Sequence, residues 1–136
     1  MSPAVLAWLR LARVYHKVDR ASAIMLRGRG LSVPQFDVLA QVGAHPGVTQ
    51  QELADALLVT KGNICQLLDR METAGLLARR QEVRANRVVL TDAGRRLRDG
   101  AVPAQEALVA EQLASLDPAE RRQLLAVLRK LDRALA

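Results

Sequence analysis

Residues 51–77 read QELADALLVTKGNICQLLDRMETAGLL, and residues 87–97, one short polar interval later, read RVVLTDAGRRL. Thr49 stands three residues before Glu52, the spacing at which a hydroxyl and a carboxylate cap a helix start reciprocally, and Leu53, Ala54 and Leu57 then recur on one helical face. Thr60 has the place of a second N-cap, opening a helix to Thr73 with Ile64, Leu67, Leu68 and Met71 as its apolar side. Gly75 stops that helix. From Leu76 to Leu90 the helical period lapses into LLARRQEVRANRVVL, which predicts two short strands joined by a polar turn near Glu82 to Asn86. Thr91 follows as the cap of another helix.

Outward from this segment, the N-terminal side carries a helix from about Pro3 to Arg27, with Leu11, Tyr15, Val18 and Met25 at helical steps and Arg10, Arg13, Lys17 and Arg20 on a second face. Gly28 and Gly30 end it. Pro34 opens a short helix through Val42 with Phe36, Val38 and Leu39 as core, and Gly43 to Gly47, containing Pro46, reads as a turn. On the C-terminal side, Pro103 lies inside the helix begun at Thr91, so a kink or break is expected close to Ala101. Asp117, Pro118 and Glu120 supply N-cap, N1 and N3 of a last helix whose stripe is Leu124, Leu128, Leu131 and Leu135. The order helix, helix, short turn, helix, β-hairpin is that of a mainly α winged helix-turn-helix with long helices on either side.

Composition agrees. Alanine and leucine fill 45 of the 136 positions, and the only aromatics are Trp8, Tyr15 and Phe36, which suits packed helices and starves a β-sandwich or barrel. The length predicts one folding unit, and no run reaches the ~20 apolar residues that span a bilayer, so neither a transmembrane helix nor a signal peptide is expected. One cysteine excludes a disulfide framework within the chain and fits a reducing, cytoplasmic compartment.

The net charge is +6, and 17 of the 20 cations are arginine. They are unevenly placed: residues 1–30 carry +5, 31–76 carry −3, 77–98 carry +5 and 99–136 carry −1. A basic chain with so few aromatics lacks stacking platforms for single strands and is better suited to gripping a duplex through its phosphates. His16, His45 and Cys65 have no zinc-like spacing, and neither a nucleophile–base pair nor a glycine-rich phosphate loop is visible, so no metal, cofactor or enzymatic activity is expected.

The motifs as a set resemble the MarR family of bacterial transcriptional regulators. The resemblance covers residues 33–98 and rests on Leu53-Ala54 before the turn, on Asp69-Arg70-x-Glu72-x-x-Gly75-Leu76 at a helix end, and on Leu90-Thr91-x-x-Gly94 at the exit of the wing. The family's wing carries Asp-x-Arg where this chain has Glu82-Val83-Arg84; the arginine matches and the aspartate does not. The resemblance implies residues 31–98 as a DNA-binding lobe and 1–30 with 99–136 as dimerisation helices within one domain of 136 residues.

On that reading the helix from Thr60 buries its leucines and turns Lys61, Gly62, Cys65, Gln66 and Asp69 outward, toward a major groove. Glutamine there pairs with adenine, lysine reaches guanine or phosphate, and Gly62 lets the backbone come close. The expected DNA-binding residues are Thr60, Lys61, Gly62, Asn63, Cys65, Gln66, Arg70, Arg79, Arg80, Arg84 and Arg87, with Arg84 at the wing tip directed to the minor groove and Glu82 able to orient it. The alternative for such a charge run is a solvated surface, and for the whole chain a winged-helix module that binds an acidic protein; the latter should expose apolar residues on this face, and none is evident in the sequence. The stripe Arg10, Arg13, Lys17 and Arg20 reads as a solvated face or a dimer contact. Cys65 is either a packing residue or, near a helix start and Lys61, a thiol open to oxidation.

The expected partners are double-stranded DNA with a pseudo-palindromic operator and a second copy of the chain. The resemblance also implies a small aromatic anion as effector of a repressor, for which Trp8, Tyr15, His16, Met25 and Phe36 are the candidate lining; such residues are more often plain core.

Overall fold

The computed structural model describes all residues, 1–136. Each of its six helices starts on a Ser, Thr or Asp whose oxygen accepts the N–H three residues on: Ser2 before α1 (Pro3–Arg27), Ser32 before α2 (Val33–Ala44), Thr49 before α3 (Gln50–Leu57), Thr60 before α4 (Lys61–Thr73), Thr91 before α5 (Asp92–Gln112) and Asp117 before α6 (Pro118–Ala134). At Ser32, Thr49 and Asp117 the box is closed by Gln35, Glu52 and Glu120 bonding back to the cap. Such a cap is worth about 1 kcal/mol, so the helix starts are locally encoded. The second helix runs one residue earlier and two later than Pro34 to Val42 because Ser32, and not the turn after it, holds its first N–H groups.

The wing is β2 (Leu77–Gln81) and β3 (Asn86–Leu90), paired antiparallel from Leu77 opposite Leu90 to Gln81 opposite Asn86. A third strand, β1 (Val48–Thr49), adds to the other edge of β3, giving the order β1-β3-β2. Thr49 therefore ends a strand and caps a helix at once. The sequence pattern did not predict β1, since two residues have no alternation to read.

Packing follows these anchors. Leu26, Leu39, Leu53, Ile64, Leu68, Met71, Leu77 and Val88 are fully buried and join α1, α2, α3, α4 and the wing in one core cluster. Two glycines explain the motif spacing. Gly75, at φ +78°, takes the left-handed turn after α4 while the Leu76 N–H reaches back to the Met71 carbonyl at 3.0 Å. Gly94 lies where a Cβ would run into the Leu76 carbonyl oxygen, and Thr91, besides capping α5, donates its hydroxyl to the Gly75 carbonyl at 2.6 Å. The start of α5 is thus clamped onto the end of α4.

Two expectations are corrected. First, α5 is not broken at Pro103 but continues as one helix from Asp92 to Gln112, with buried Ala101 two residues before the proline; α5 packs on both α1 and α2, and the Gln105 side-chain amide donates to Ser22 of α1 at 2.9 Å, so neighbours hold the helix where one backbone donor is missing. Second, the buried face of α1 is Ser22 and Leu26, flanked by half-buried Leu11, Val18 and Met25, while Tyr15 is exposed. At 25 residues α1 is about 37 Å long, and its N-terminal half overshoots the lobe that its C-terminal half packs on. The last helix, α6, has no buried residue, and its apolar stripe is uncovered within the protomer, as its assignment to the dimerisation helices expects. No helix is long and apolar enough to cross a membrane.

Candidate nucleic-acid interface

α3 and α4 are joined by Leu58, Val59 and Thr60, with Leu58 at φ +54° as the left-handed end of α3. A leucine in that conformation costs about 1 kcal/mol and here is almost wholly exposed, so the turn is held by its flanks: the Val59 N–H bonds the Ala54 carbonyl and the Thr60 hydroxyl takes the Asn63 N–H at 3.1 Å. Burial of Ile64, Leu68 and Met71 then fixes the rotation of α4. Lys61, Gly62, Asn63, Gln66, Asp69 and Arg70 are exposed as a result.

Cys65 is not on that outer face. It is half-buried, and its Sγ accepts the Gln50 side-chain amide at 3.2 Å, so it looks toward α3. Gln50 is the functional neighbour that the motif reading passed over. It is 8% exposed, and the signal was present: Gln50, Leu53 and Ala54 have the i, i+3, i+4 spacing of one buried face.

Arg79 is a second correction. Its guanidinium NH2 meets Asp69 Oδ1 at 2.5 Å and Glu72 Oε1 at 2.9 Å, NH1 reaches Gln50 Oε1 at 3.5 Å, and its main-chain N–H donates to the other Glu72 oxygen at 3.0 Å. Desolvation works against the charge on Arg79, and hydrogen bonds to Glu72 and Asp69 outweigh it, keeping the guanidinium more firmly protonated than usual; the same bonds hold the Glu72 carboxyl below the ordinary carboxylate range. This arginine is a strut between β2 and α4, with both hydrogens of NH2 and one of NH1 already engaged.

The wing holds a third correction. Glu82 pairs with Arg87, Nε to Oε2 at 2.8 Å, and not with Arg84. Arg87 NH1 also donates to the Gly47 carbonyl at 3.0 Å, so Arg87 braces the hairpin against the turn that precedes β1. The hydrogen bond from Arg87 holds the Glu82 carboxyl low, and Glu82 in turn raises Arg87. Arg80 and Arg84 are exposed and form no ion pair, as is true of Lys61 and Arg70. Val83, beside Arg84, is fully exposed, so this face does carry an apolar residue, contrary to expectation.

Between the start of α4 and the wing lies a polar groove of about 520 Å³, walled by Gln50, Gln51 and Lys61 on one side and by Gln81, Arg84 and Asn86 on the other, with Glu82, paired to Arg87, and Val83 also on the wing side. Free cations and amides therefore flank a concave strip whose two walls are tied together through Arg79 and Arg87.

The other five candidates are not brought together. Trp8, Tyr15 and His16 are exposed along α1, Met25 is half-buried further down it, and Phe36 belongs to the core. Their side chains share no cavity within the protomer, because Trp8 to His16 lie on the part of α1 that overshoots the lobe. Arg10, Arg13, Lys17 and Arg20 are all exposed and form no ion pair.

A helix-turn-helix whose second helix presents amides and unpaired cations, with a braced hairpin beside it, defines a winged-helix regulator. Comparison with known proteins agrees. The MarR family profile matches residues 29–87. An HTH-type transcriptional regulator of Bacillus cereus is 36% identical over 100 residues, covering 74% of this chain and 68% of that one. A Mycobacterium tuberculosis MarR family protein, Rv2887, solved in complex with DNA, is 30% identical and superposes with a TM-score of 0.77 over 96% of this chain and 98% of its own. The organohalide-sensing RdhR transcriptional regulator, solved in a 2,4-dichlorophenol-bound form, is 22% identical with a TM-score of 0.88, covering 99% of this chain and 82% of its own. The chain belongs to the MarR family of HTH-type transcriptional regulators. It is a DNA-binding transcriptional regulator and not an enzyme.

Proposed function

We propose that the chain acts in the cytoplasm as a homodimeric repressor, each protomer placing α4 in a major groove of a pseudo-palindromic operator and its wing on the neighbouring minor groove. The observation that carries this reading is the division of labour among the charges. Arg79 and Arg87 are consumed in bracing α4 and the wing, whereas Lys61 and Arg70, on α4 with the amides Asn63 and Gln66, and Arg80 and Arg84, on the wing, remain unpaired. Residues 31–98 form the DNA-binding lobe, with Thr60 and Gly62 supporting the close approach of α4. Residues 1–30 and 99–136 make the dimer: α1 exposes Val5, Leu6, Trp8 and Leu9, and α6 exposes Leu124, Leu125, Val127 and Leu131, more apolar surface than a monomer leaves wet. Two-fold symmetry then sets the recognition helices about 34 Å apart.

A small aromatic anion as effector is the finer part of this proposal. It is supported by the phenol bound to the organohalide-sensing relative in fold, and it requires Trp8, Tyr15 and His16 to gain their missing walls from the partner copy. Such a ligand releases DNA only if it prefers a different spacing of the two recognition helices. The test is a mobility-shift titration of the purified protein against the DNA flanking its own gene, with and without salicylate. Retardation of that DNA at lower protein concentration than random duplex supports the reading, and equal retardation of both overturns operator recognition.

A further inference from the structure

The wing ends in a two-residue turn: Glu82 and Ala85 exchange main-chain hydrogen bonds at 2.8 and 3.4 Å, leaving Val83 and Arg84 as the loop. Neither has positive φ, so the tip is not one of the primed turns that fit hairpin twist best, and neither residue is a preferred turn former. Val83 is 101% exposed, burying nothing in the protomer, while Arg84 beside it has no ion partner. A β-branched apolar side chain at the outermost point of a polar hairpin contributes nothing to folding there. The tip is also held in place, since Glu82 is turned away from Arg84 to grip Arg87, which is itself bonded to the Gly47 carbonyl.

We infer that Val83 makes the wing select against guanine in the base step beneath it. This rests on the proposed DNA-binding reading and goes beyond it. In the minor groove an A·T pair offers only acceptors, whereas a G·C pair adds the guanine N2 amino donor on the floor of the groove. Val83 has two methyl groups and no acceptor. Pressed onto that floor by a braced turn, with Arg84 alongside supplying charge, it covers the amino group and leaves the donor desolvated and unpaired; over A·T it covers no donor at all. Arg84 supplies affinity wherever the groove is narrow, and Val83 supplies the penalty for guanine.

The experiment uses the full chain and an operator selected from random duplex, in which each adenine flanking the recognition-helix half-site is replaced in turn by 2,6-diaminopurine, which adds only the minor-groove amino group. For the wild type, one step on each side should lose affinity by about 3- to 10-fold, the low end of the cost of an unpaired donor because the tip is incompletely enclosed. A G·C pair at that step should be equally poor, and an inosine·C pair, which lacks the amino group, should restore binding. Val83→Ser keeps Arg84 and the turn while supplying an acceptor, so its penalty should fall below about 2-fold with the salt dependence unchanged, folding being checked by circular dichroism. If Val83→Ser retains the full penalty, or the wild type shows none at any position, the inference is overturned while DNA binding stands. If the wild type selects no duplex, the DNA-binding reading itself has failed.

Discussion

Arg79 shows how far a residue's role depends on partners remote in the chain. As text it belongs to a basic run with Arg80; in the fold it joins Asp69 and Glu72, ten and seven residues away, and Gln50 on a third element. Nothing in the local pattern distinguishes the two arginines. Cys65 turns inward for the same kind of reason, because the group that draws it, Gln50, lies on α3. Arg79→Ala should therefore destabilise the fold, by about 1–2 kcal/mol in urea unfolding after allowance for partial solvent access, and leave the salt slope of DNA binding unaltered. The same network predicts a pH response. Glu72 has its folded value depressed, first by the Arg79 side chain and then by its main-chain N–H, so its contribution is present above the unfolded carboxylate value near pH ~4.3 and is lost as pH falls through the lower folded value. Thermal melts between pH 6 and pH 3 should show wild-type stability falling toward acid and Glu72→Gln falling less steeply; parallel curves would mean that the pair contributes nothing.

At the level of elements, helix starts were the most legible feature, since a Ser, Thr or Asp cap is a local device and all six are used. The hairpin was legible from the lapse of helical period, and the exit motif from Thr91 and Gly94. Less legible was anything decided by a neighbouring element: β1 exists only because Val48 and Thr49 find Val88 and Arg87 across from them, and α5 survives Pro103 because α1 and α2 hold it. Glu82 likewise chose Arg87 over Arg84 because Arg87 projects from the adjacent strand toward both Glu82 and Gly47. The junction between the α4 end and α5 gives a sharp test. Gly94→Ala places a methyl against the Leu76 carbonyl, which is backbone and cannot swing away, so it should cost about 1–3 kcal/mol despite the higher helix propensity of alanine. Denaturant melts showing Gly94→Ala as stable as wild type would refute the clamp.

For the whole molecule, a lobe with a complete core is continuous with two helical extensions whose apolar faces are uncovered in the protomer. Leu131→Glu, on the stripe of α6, should leave the lobe folded, convert dimer to monomer by light scattering and weaken operator binding at least tenfold, because one half-site alone then holds the protein. A dimer retained in that variant would place the interface elsewhere. The outer face of α4 reads bases while the wing tip grips the backbone or minor groove, and one set of binding constants separates the two roles. Wild type, Gln66→Ala and Arg84→Ala are titrated against operator and random duplex across a salt series. Gln66→Ala should lose about 1–3 kcal/mol on the operator and almost nothing on random duplex, whereas Arg84→Ala should weaken both and flatten the salt slope by about one unit. An unchanged operator preference in Gln66→Ala together with an unchanged slope in Arg84→Ala would mean that this surface does not bind DNA.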